Sequence, residues 1–383
     1  MSVTAAKGFL AAGVRAGLKK SGNPDLALVQ NIGPIKSAAA VFTSNRALAN
    51  PVLWSKEVIK DGILEAVVLN SGGANCYTGP QGFQTTHATA EAVAEALEVS
   101  AGDVLVCSTG LIGEQLDRDK VLAGVANAAQ SLSPTGGPAA AEAIMTTDSV
   151  FKQAEVSVGG FTVGGMAKGA GMLAPGLATM LVVITTDAAL SPAELDQALR
   201  AATRVTFDRL DSDGCMSTND TVTLMASGAS EVTPSVEEFT EALTAVCHDL
   251  AMQLLTDAEG ASHDIAIEVT NAATEADAVE VGRSIARNNL FKAAIFGNDP
   301  NWGRILAAVG TTGAEFDPYD IDVFINGVRV SSKGQPDQPR NLVDLTPRAV
   351  SIKLDLHAGN AKATVYTSDL THAYVTENSE YSS

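Results

Sequence analysis

The sequence places a threonine between a glycine-rich segment and an apolar run. Residues 168–188 read KGAGMLAPGLATMLVVITTDA, in which four glycine or proline residues precede Thr179 and residues 180–184 are all apolar. Glycine lets the main chain bend sharply and approach a reactive group, whereas a β-strand would hold Thr179, whose branched side chain is stiff at χ1. The pattern indicates a rigidly held hydroxyl group that could act as a nucleophile.

A threonine in this context could generate the base that activates its own hydroxyl group. If Thr179 Oγ attacks the carbonyl group of Ala178, the peptide becomes an ester, and hydrolysis of that ester leaves Thr179 with a new α-amino group. The reference pKa of such an amine is about 7.7–8.0, so part of it is unprotonated at neutral pH. It can then serve as the base for its own hydroxyl group. The alternative from the residues alone is a threonine that caps or packs at the start of a strand.

The charge of the chain excludes some classes of partner. The net charge is −19; residues 1–178 carry 12 basic and 14 acidic side chains, whereas residues 179–383 carry 13 and 30. An acidic surface repels nucleic acid and anionic membranes. We therefore expect neither as a partner, and solubility alone would explain the excess of acidic residues.

The cysteines and histidines show no spacing that is typical of a metal site or a disulfide framework. The four cysteines form no CxxC pair, and the five histidines form no HxxxH or HExxH pattern. We expect reduced thiols, no metal and no cofactor. No secretory signal and no run of 18 apolar residues is visible, so we expect a cytoplasmic location.

Short strand-like runs alternate with helical patterns. Strands are predicted at residues 27–33, 38–44, 65–73 and 103–110, and after residue 179. Helices are predicted at 87–99 and 118–132, after the Ser-Pro-x-Glu start signal at 191–194, and within 233–255. The alternating patterns at 321–330 and 349–370 predict hairpins, the first with an Asn-Gly turn.

These elements predict a mixed α/β fold. Strands often follow one another directly, and regular βαβ alternation is absent, so a Rossmann fold is not favoured. The glycine strings match neither GxGxxG nor GxxxxGK[ST], which argues against nucleotide binding. No clean domain boundary is visible in the sequence.

Several motifs together resemble those of the ornithine acetyltransferase (glutamate N-acetyltransferase) family of arginine biosynthesis. The segment around Thr179 is similar to the family's self-cleavage segment. VCSTGLIGEQL (106–116), IMTTDS (144–149), DSDGCMSTNDT (211–221), LTDAEGAS (255–262) and GNDPNWGRI (297–305) resemble further signatures in the same order. NSGGANCYTG (70–79) departs from the family pattern, since Gly73 stands where the family has an asparagine.

The resemblance implies a fold and an assembly. The fold is a layered α/β/β/α-like sandwich of mixed sheets, related to aminopeptidases of the DmpA type. The chain is expected to cut itself between Ala178 and Thr179 into residues 1–178 and 179–383, which form one catalytic unit. Two copies of each piece would make an α2β2 assembly.

The resemblance also implies the reaction. Thr179 takes the acetyl group of N2-acetyl-L-ornithine, ornithine leaves, and L-glutamate then accepts the acetyl group, which is a ping-pong scheme. Some family members also acetylate glutamate from acetyl-CoA. Thr109 and Gly110 correspond to the oxyanion donors, and the substrate-binding positions correspond to Thr146, Lys168, Thr179, Glu259, Asn378 and Ser383.

Two other functions remain open from the sequence. An N-terminal-nucleophile amidohydrolase or aminopeptidase would share the activated threonine, but water would accept the acyl group. A non-enzymatic ligand-binding protein would show neither self-cleavage nor an acetyl-enzyme. The composition of the C-terminal residues TENSEYSS alone predicts disorder, whereas the resemblance implies that this tail folds back over the substrate.

Overall fold

A computed structural model describes residues 2–173 and 180–380. Ala178, Thr179 and Ser383 therefore lie outside the described residues. Over the described ranges, the strands are β1 (Phe9–Val14), β2 (Leu26–Asn31), β3 (Ala38–Phe42), β4 (Ala66–Asn70), β5 (Val104–Ser108), β6 (Lys152–Val158), β7 (Phe161–Lys168), β8 (Leu181–Thr186), β9 (Thr221–Ala226), β10 (Asp264–Ala272), β11 (Asp322–Ile325), β12 (Val328–Ser332), β13 (Gln335–Pro336), β14 (Ala349–Asp355) and β15 (Ala361–Ser368).

The helices occur between these strands. They are α1 (Asn50–Val58), α2 (Gly79–Leu97), α3 (Arg118–Gln130), α4 (Gly137–Ala143), α5 (Pro192–Val205), α6 (Val236–Thr256), α7 (Glu275–Ala286), α8 (Asn289–Phe296), α9 (Trp302–Val309) and α10 (His372–Glu380). Among the described residues, none of these helices combines the length and the apolar character that a membrane span requires.

The chain divides into two compact units. The first contains Met1–Ala170, Gly176–Asp208 and Met216–Leu254, and the second contains Gly171–Pro175, Arg209–Cys215 and Leu255–Ser383. These boundaries differ from the expected cleavage position between residues 178 and 179. Each expected piece therefore contributes residues to both units.

The first unit contains two sheets that share a core. One sheet has the order β1-β2-β4-β5 and the other β3-β9-β8-β7-β6. Both are mixed, because β4 pairs with β5 and β8 with β9 in parallel, while the other neighbours are antiparallel. Buried side chains such as Val29, Leu69, Met166 and Val183 lie together between the sheets.

Helices cover the outer faces of the two sheets. Helices α2 and α3 pack on the β1-β2-β4-β5 sheet through a separate apolar cluster. On β7, Met166 belongs to the core between the sheets, so its neighbour Gly165 faces the other way. On this outer face, a Cβ on Gly165 would lie 3.0 Å from Leu250, so α6 packs closely against β7. Helix α5 packs against β3 of the same sheet. This α/β/β/α order confirms the expected fold class.

The second unit has a single mixed sheet. Its order is β13-β12-β11-β14-β10-β15, and helices α7, α8 and α9 contribute to its apolar core. Trp302, at the first position of α9, packs against that core. The predicted Asn-Gly turn is present, with positive φ at both Asn326 and Gly327.

One strand-pairing prediction was wrong. The alternating pattern of 349–370 predicted a hairpin, but β14 and β15 do not pair with each other. Strand β10 lies between them, parallel to β14 and antiparallel to β15. Alternation identifies the two faces of a strand, but it carries no information about which strand lies beside it.

Candidate active site

In the second sheet of the first unit, three strands place Lys168, the start of β8 and the start of β9 in one row. Lys168, the last residue of β7, is opposite Leu181, the first residue of β8. Leu181 is in turn opposite Thr221, the first residue of β9. The main chain that follows residue 179 therefore enters the sheet between Lys168 and the segment that ends at Asp220.

The predicted oxyanion donors follow β5 directly. Thr109 is 3% exposed, its N–H donates to Asn70 O (2.9 Å), and its carbonyl oxygen accepts from Gly73 N (2.9 Å). Thr109 can therefore offer its hydroxyl group but not its N–H. Gly110 N–H donates to no other described residue, so the hydroxyl group and this N–H are the available pair of donors.

Gly110 has a conformation that requires glycine. Its φ is +129°, and a Cβ built on it would lie 2.8 Å from Gly73 N and 2.9 Å from Gly73 Cα. A side chain would displace the main chain of Gly73, which holds Thr109. The glycine that replaces the family's asparagine at position 73 thus contacts the site through its main chain.

Lys168 connects the two sheets of the first unit. Its side chain is 1% exposed, and Nζ donates to Thr109 Oγ1 at 3.3 Å. Because the threonine oxygen accepts from the lysine, its own hydrogen atom is free to donate elsewhere. The predicted oxyanion donor Thr109 and the predicted substrate-binding residue Lys168 thus lie in direct contact.

Asp148, to which the sequence analysis gave no role, organises the surroundings of Lys168. Its Oδ1 accepts from Lys152 Nζ (2.6 Å) and Gly169 N (2.6 Å), and its Oδ2 accepts from Thr146 N (2.9 Å). Asp148 is therefore hydrogen-bonded to the main chain at Thr146, a predicted substrate-binding residue, and at the residue that follows Lys168.

Electrostatics keep Asp148 ionised. Burial by itself raises the pKa of this carboxyl group, but the charges of Lys168 and Lys152 and the hydrogen bonds from Lys152 and Thr146 lower it to about 2. One carboxylate thus faces two buried ammonium groups. The ammonium group of Lys168, which also contacts Thr109, suits a ligand with a carboxylate group.

Lys19 adds a third cation near this cluster. Its Nζ donates to Met145 O (2.7 Å) and Pro24 O (2.9 Å), and the first of these bonds fixes the residue before Thr146. Burial lowers the pKa of Lys19, while Asp25 raises it and Lys168 lowers it further. No motif in the sequence pointed to Lys19.

The segment STND (217–220) supports the site from β9. Asn219 Nδ2 donates to Ala74 O (2.7 Å) and Ser108 O (2.8 Å), so it holds the end of β5 just before Thr109. Asp220 Oδ1 accepts from Met180 N at 3.1 Å. Both residues lie within the motif DSDGCMSTNDT (211–221), and the structure supplies their partners.

The second unit contains Glu259 and Asn378. Asn378 Nδ2, on α10, donates to Glu259 Oε2 at 2.9 Å. A Cβ on Gly171 would lie 2.5 Å from the same carboxylate oxygen, so the main chain at Gly171 passes directly against Glu259. The composition of the tail predicted disorder from residue 376 onwards. That prediction was wrong up to residue 380, because residues 372–380 form helix α10.

The structure thus brings Thr109, Gly110, Thr146 and Lys168 together in the first unit, and Glu259 and Asn378 together in the second. Ala178, Thr179 and Ser383 lie outside the described residues. Among residues 2–173 and 180–380, no group of three or more histidine, cysteine or acidic side chains could hold a metal ion.

The chain is similar along its whole length to proteins that are named for arginine biosynthesis. It is 66% identical over 383 residues to the "Arginine biosynthesis bifunctional protein ArgJ" of Streptomyces avermitilis, with 100% of both chains covered. The protein of the same name from Mycobacterium tuberculosis is 55% identical over 389 residues, with 100% of this chain and 96% of the relative covered.

A solved structure is also similar. The ornithine acetyltransferase of Mycobacterium tuberculosis, crystallised with ornithine, is 56% identical and matches with a TM-score of 0.45, covering 47% of this chain and 96% of that one. The model of the ArgJ family matches residues 10–383. The family model and the relatives from Streptomyces avermitilis and Mycobacterium tuberculosis confirm the resemblance that the motifs indicated, and the chain belongs to the ArgJ family.

Proposed function

We propose that this protein transfers the acetyl group of N2-acetyl-L-ornithine to L-glutamate through an acetyl ester on Thr179, after cutting itself between Ala178 and Thr179. The names of its relatives support an acetyltransferase of arginine biosynthesis. The observation that carries the proposal is the contact between Lys168 and Thr109, beside the start of β8. An oxyanion donor, a carboxylate-binding cation and the chain after residue 179 occur together there.

Self-cleavage would supply the base. Thr179 Oγ attacks the carbonyl carbon of Ala178, the C–N bond breaks, and the nitrogen takes the hydroxyl proton as an ester forms. Water then hydrolyses the ester, which leaves a carboxylate on Ala178 and an α-amino group on Thr179. This amine is the base that the acetyl-transfer step needs.

Acetyl transfer would follow in two balanced steps. The α-amine takes the proton of Thr179 Oγ, which attacks the acetyl carbon of N2-acetylornithine. The C–N bond breaks, ornithine takes the proton as it leaves, and the acetyl group stays on Oγ. The amino group of glutamate then attacks the ester, Thr179 Oγ regains a proton, and N-acetylglutamate leaves.

The described residues have separable roles in this scheme. The Thr109 hydroxyl group and the Gly110 N–H stabilise the negative oxygen of each tetrahedral intermediate. Lys168 and Thr146 bind the substrate carboxylate. Glu259, oriented by Asn378, binds the δ-ammonium group of ornithine, and Ser383 completes the substrate site.

The test uses the purified protein and Thr179→Ala. The wild type should give two pieces and an N-terminal sequence Thr-Met-Leu-Val, and N-acetylornithine alone should add one acetyl mass to residues 179–383. Glutamate should remove that mass as N-acetylglutamate. The variant should stay whole and transfer nothing. A variant that still cuts itself, or a wild type that never carries the acetyl mass, would refute the proposal.

Two alternatives give different outcomes. An amidohydrolase would release acetate from N-acetylornithine at a rate that glutamate does not change. A binding protein would stay uncut at 39.3 kDa or never acquire an acetyl group. The same assays therefore separate all three functions.

The word "bifunctional" in the names of the relatives favours a second activity. We propose that acetyl-CoA also acetylates Thr179, and that glutamate accepts the group as before. Labelled acetyl-CoA should then label residues 179–383 without N-acetylornithine. The α2β2 assembly and the cytoplasmic location remain predictions, and native mass together with denaturing electrophoresis tests the first.

A further inference from the structure

The carboxyl group of Asp220 is buried and only half satisfied. Its side chain is 0% exposed, and Oδ1 accepts from Met180 N at 3.1 Å. Its other oxygen, Oδ2, is buried and has no hydrogen-bond partner among the residues that the structure describes. An unpaired buried polar atom lowers stability, so this oxygen needs an explanation.

The position of Asp220 in the chain suggests that explanation. Met180 N, which Asp220 contacts, is covalently bonded to the carbonyl carbon of Thr179. The carboxyl group therefore reaches the main chain directly beside the residue on which self-cleavage would create an amine. That amine does not exist in an intact chain, so a partner intended for it would be unpaired there.

Among the residues that the structure describes, few charged groups face Asp220 from the neighbouring elements. Burial raises the pKa of Asp220 well above its usual range, against the opposing effects of the nearby Ser217 hydroxyl group, the hydrogen bond from Met180 N and the charge on Lys168. Cys107 on β5 lies near Thr221, but burial raises the pKa of its thiol to about 12, so it is uncharged. Lys168 is the cation that acts on Asp220 from β7, and Asp148 faces that same lysine.

Building on the proposed function, we propose that Asp220 is a positioning residue that acts through the α-amino group of Thr179: Oδ1 holds the main chain at Met180, and Oδ2 is the partner of the amine once the chain is cut. The competent state is reached above the acid limb of the pH profile, where the amine is neutral and Asp220 has lost its proton to become a carboxylate. When the amine takes the hydroxyl proton of Thr179, the carboxylate stabilises the resulting ammonium ion. Asp220 thereby makes the amine a stronger base.

The effect on pH dependence follows from this pairing. A carboxylate beside the amine favours its protonated form and raises the pKa of the amine. An uncharged partner removes that effect, so the acid limb of the kcat/KM profile moves to lower pH. The base also becomes weaker, so kcat on the plateau falls.

Asp220→Asn tests the proposal, because its amide oxygen can still accept from Met180 N. In the cut variant, we expect the acid limb to move down by about one pH unit. The plateau value of kcat should fall by about 10- to 100-fold. KM for N-acetylornithine should change by less than about 3-fold, since Asp220 binds no substrate.

Matched variants keep the test decisive. Thr223→Val removes another buried, unpartnered oxygen from β9 and should leave the profile and kcat unchanged. Asp220→Ser, which is also uncharged, should show the same shift as Asp220→Asn. An unchanged or upward-shifted acid limb in either Asp220 variant overturns the proposal.

Self-cleavage gives a second readout. The proposal assigns Oδ2 no role before the amine exists, so both uncharged variants should be cut. Loss of cutting in both, at a wild-type melting temperature, also overturns it. The proposed function fails separately, if wild-type protein forms no acetyl-enzyme or if Thr179→Ala retains transfer.

Discussion

Lys168 Nζ donates a hydrogen bond to Thr109 Oγ1 across 3.3 Å. This bond joins the end of β7 in one sheet to the residue after β5 in the other. Both side chains are almost completely buried, so neither can turn away into solvent. The lysine therefore fixes the position of the hydroxyl oxygen and leaves the hydroxyl hydrogen free to donate to a ligand.

Thr109→Val should strongly impair acetyl transfer. Valine keeps the shape of threonine but removes the hydroxyl donor, and loss of one oxyanion donor typically lowers kcat by about 100- to 1,000-fold. Steady-state kinetics with N-acetylornithine and glutamate measures the loss. Thr109→Ser keeps the hydroxyl group and should remain within about 10-fold of the wild type. Equal kinetics for the valine variant and the wild type would remove Thr109 from the oxyanion site.

Gly110→Ala should damage both stability and activity. The φ of +129° disfavours any side chain, and the added Cβ would lie under 3.0 Å from the main chain of Gly73. Gly113→Ala is the matched control in the same loop: its φ is +87°, but a Cβ there meets nothing within 4 Å. The control should lose about 1–2 kcal/mol of unfolding free energy. Gly110→Ala should lose more unfolding free energy than this control and should also lose activity. Equal losses of unfolding free energy in the two variants would contradict the close approach of Gly110 to the main chain of Gly73.

The local elements were largely predictable from the sequence. The capping box at Ser191 and Glu194 is present at the start of α5, as the Ser-Pro-x-Glu signal predicted. The predicted start of α2 lies eight residues too late, because the helix begins at Gly79. Its first turn contains glycine and proline residues, which normally break helices. Proline is tolerated in the first helical turn, where its missing N–H costs nothing.

The site was predictable only where a motif marks it. Thr109, Thr146 and Lys168 could be found from the resemblance, and the structure places them in one unit. Lys19 lies about 150 residues from Lys168 in the sequence, and only the folded chain brings it near the same cluster. Asp148 was visible within the motif IMTTDS, but its role depends on three hydrogen bonds that no local pattern encodes.

Asp148→Asn should destabilise the first unit, because it removes the negative charge that faces Lys152 and Lys168. Loss of one member of a buried ion pair typically costs about 3–5 kcal/mol of unfolding free energy. Urea unfolding at pH 7 measures this loss. Asp119→Asn changes an exposed carboxylate in the first turn of α3 and should cost under about 1 kcal/mol.

The destabilisation by Asp148→Asn should also depend on pH. The pKa of Asp148 is lowered from 3.8 to about 2 on folding, which corresponds to about 2 kcal/mol. This stabilisation is fully present above pH 4 and is lost as pH falls towards 2, because the folded protein is then protonated as well. The stability difference between wild type and variant should therefore shrink between pH 4 and pH 2. A constant difference over that range would show that the charge of Asp148 does not matter.

Glu259→Gln should weaken the binding of N-acetylornithine more than that of glutamate. Glutamine can still accept from Asn378, but it cannot pair by charge with the δ-ammonium group that only ornithine carries. A hydrogen bond to a charged group contributes about 1.5–3 kcal/mol, so KM for N-acetylornithine should rise by about 10- to 150-fold. Glu268→Gln, at a surface ion pair with Lys353, is the control and should leave both KM values unchanged. A rise in KM for glutamate alone would mean that Glu259 recognises the α-ammonium group of the acceptor instead, because that is the cationic group that glutamate presents.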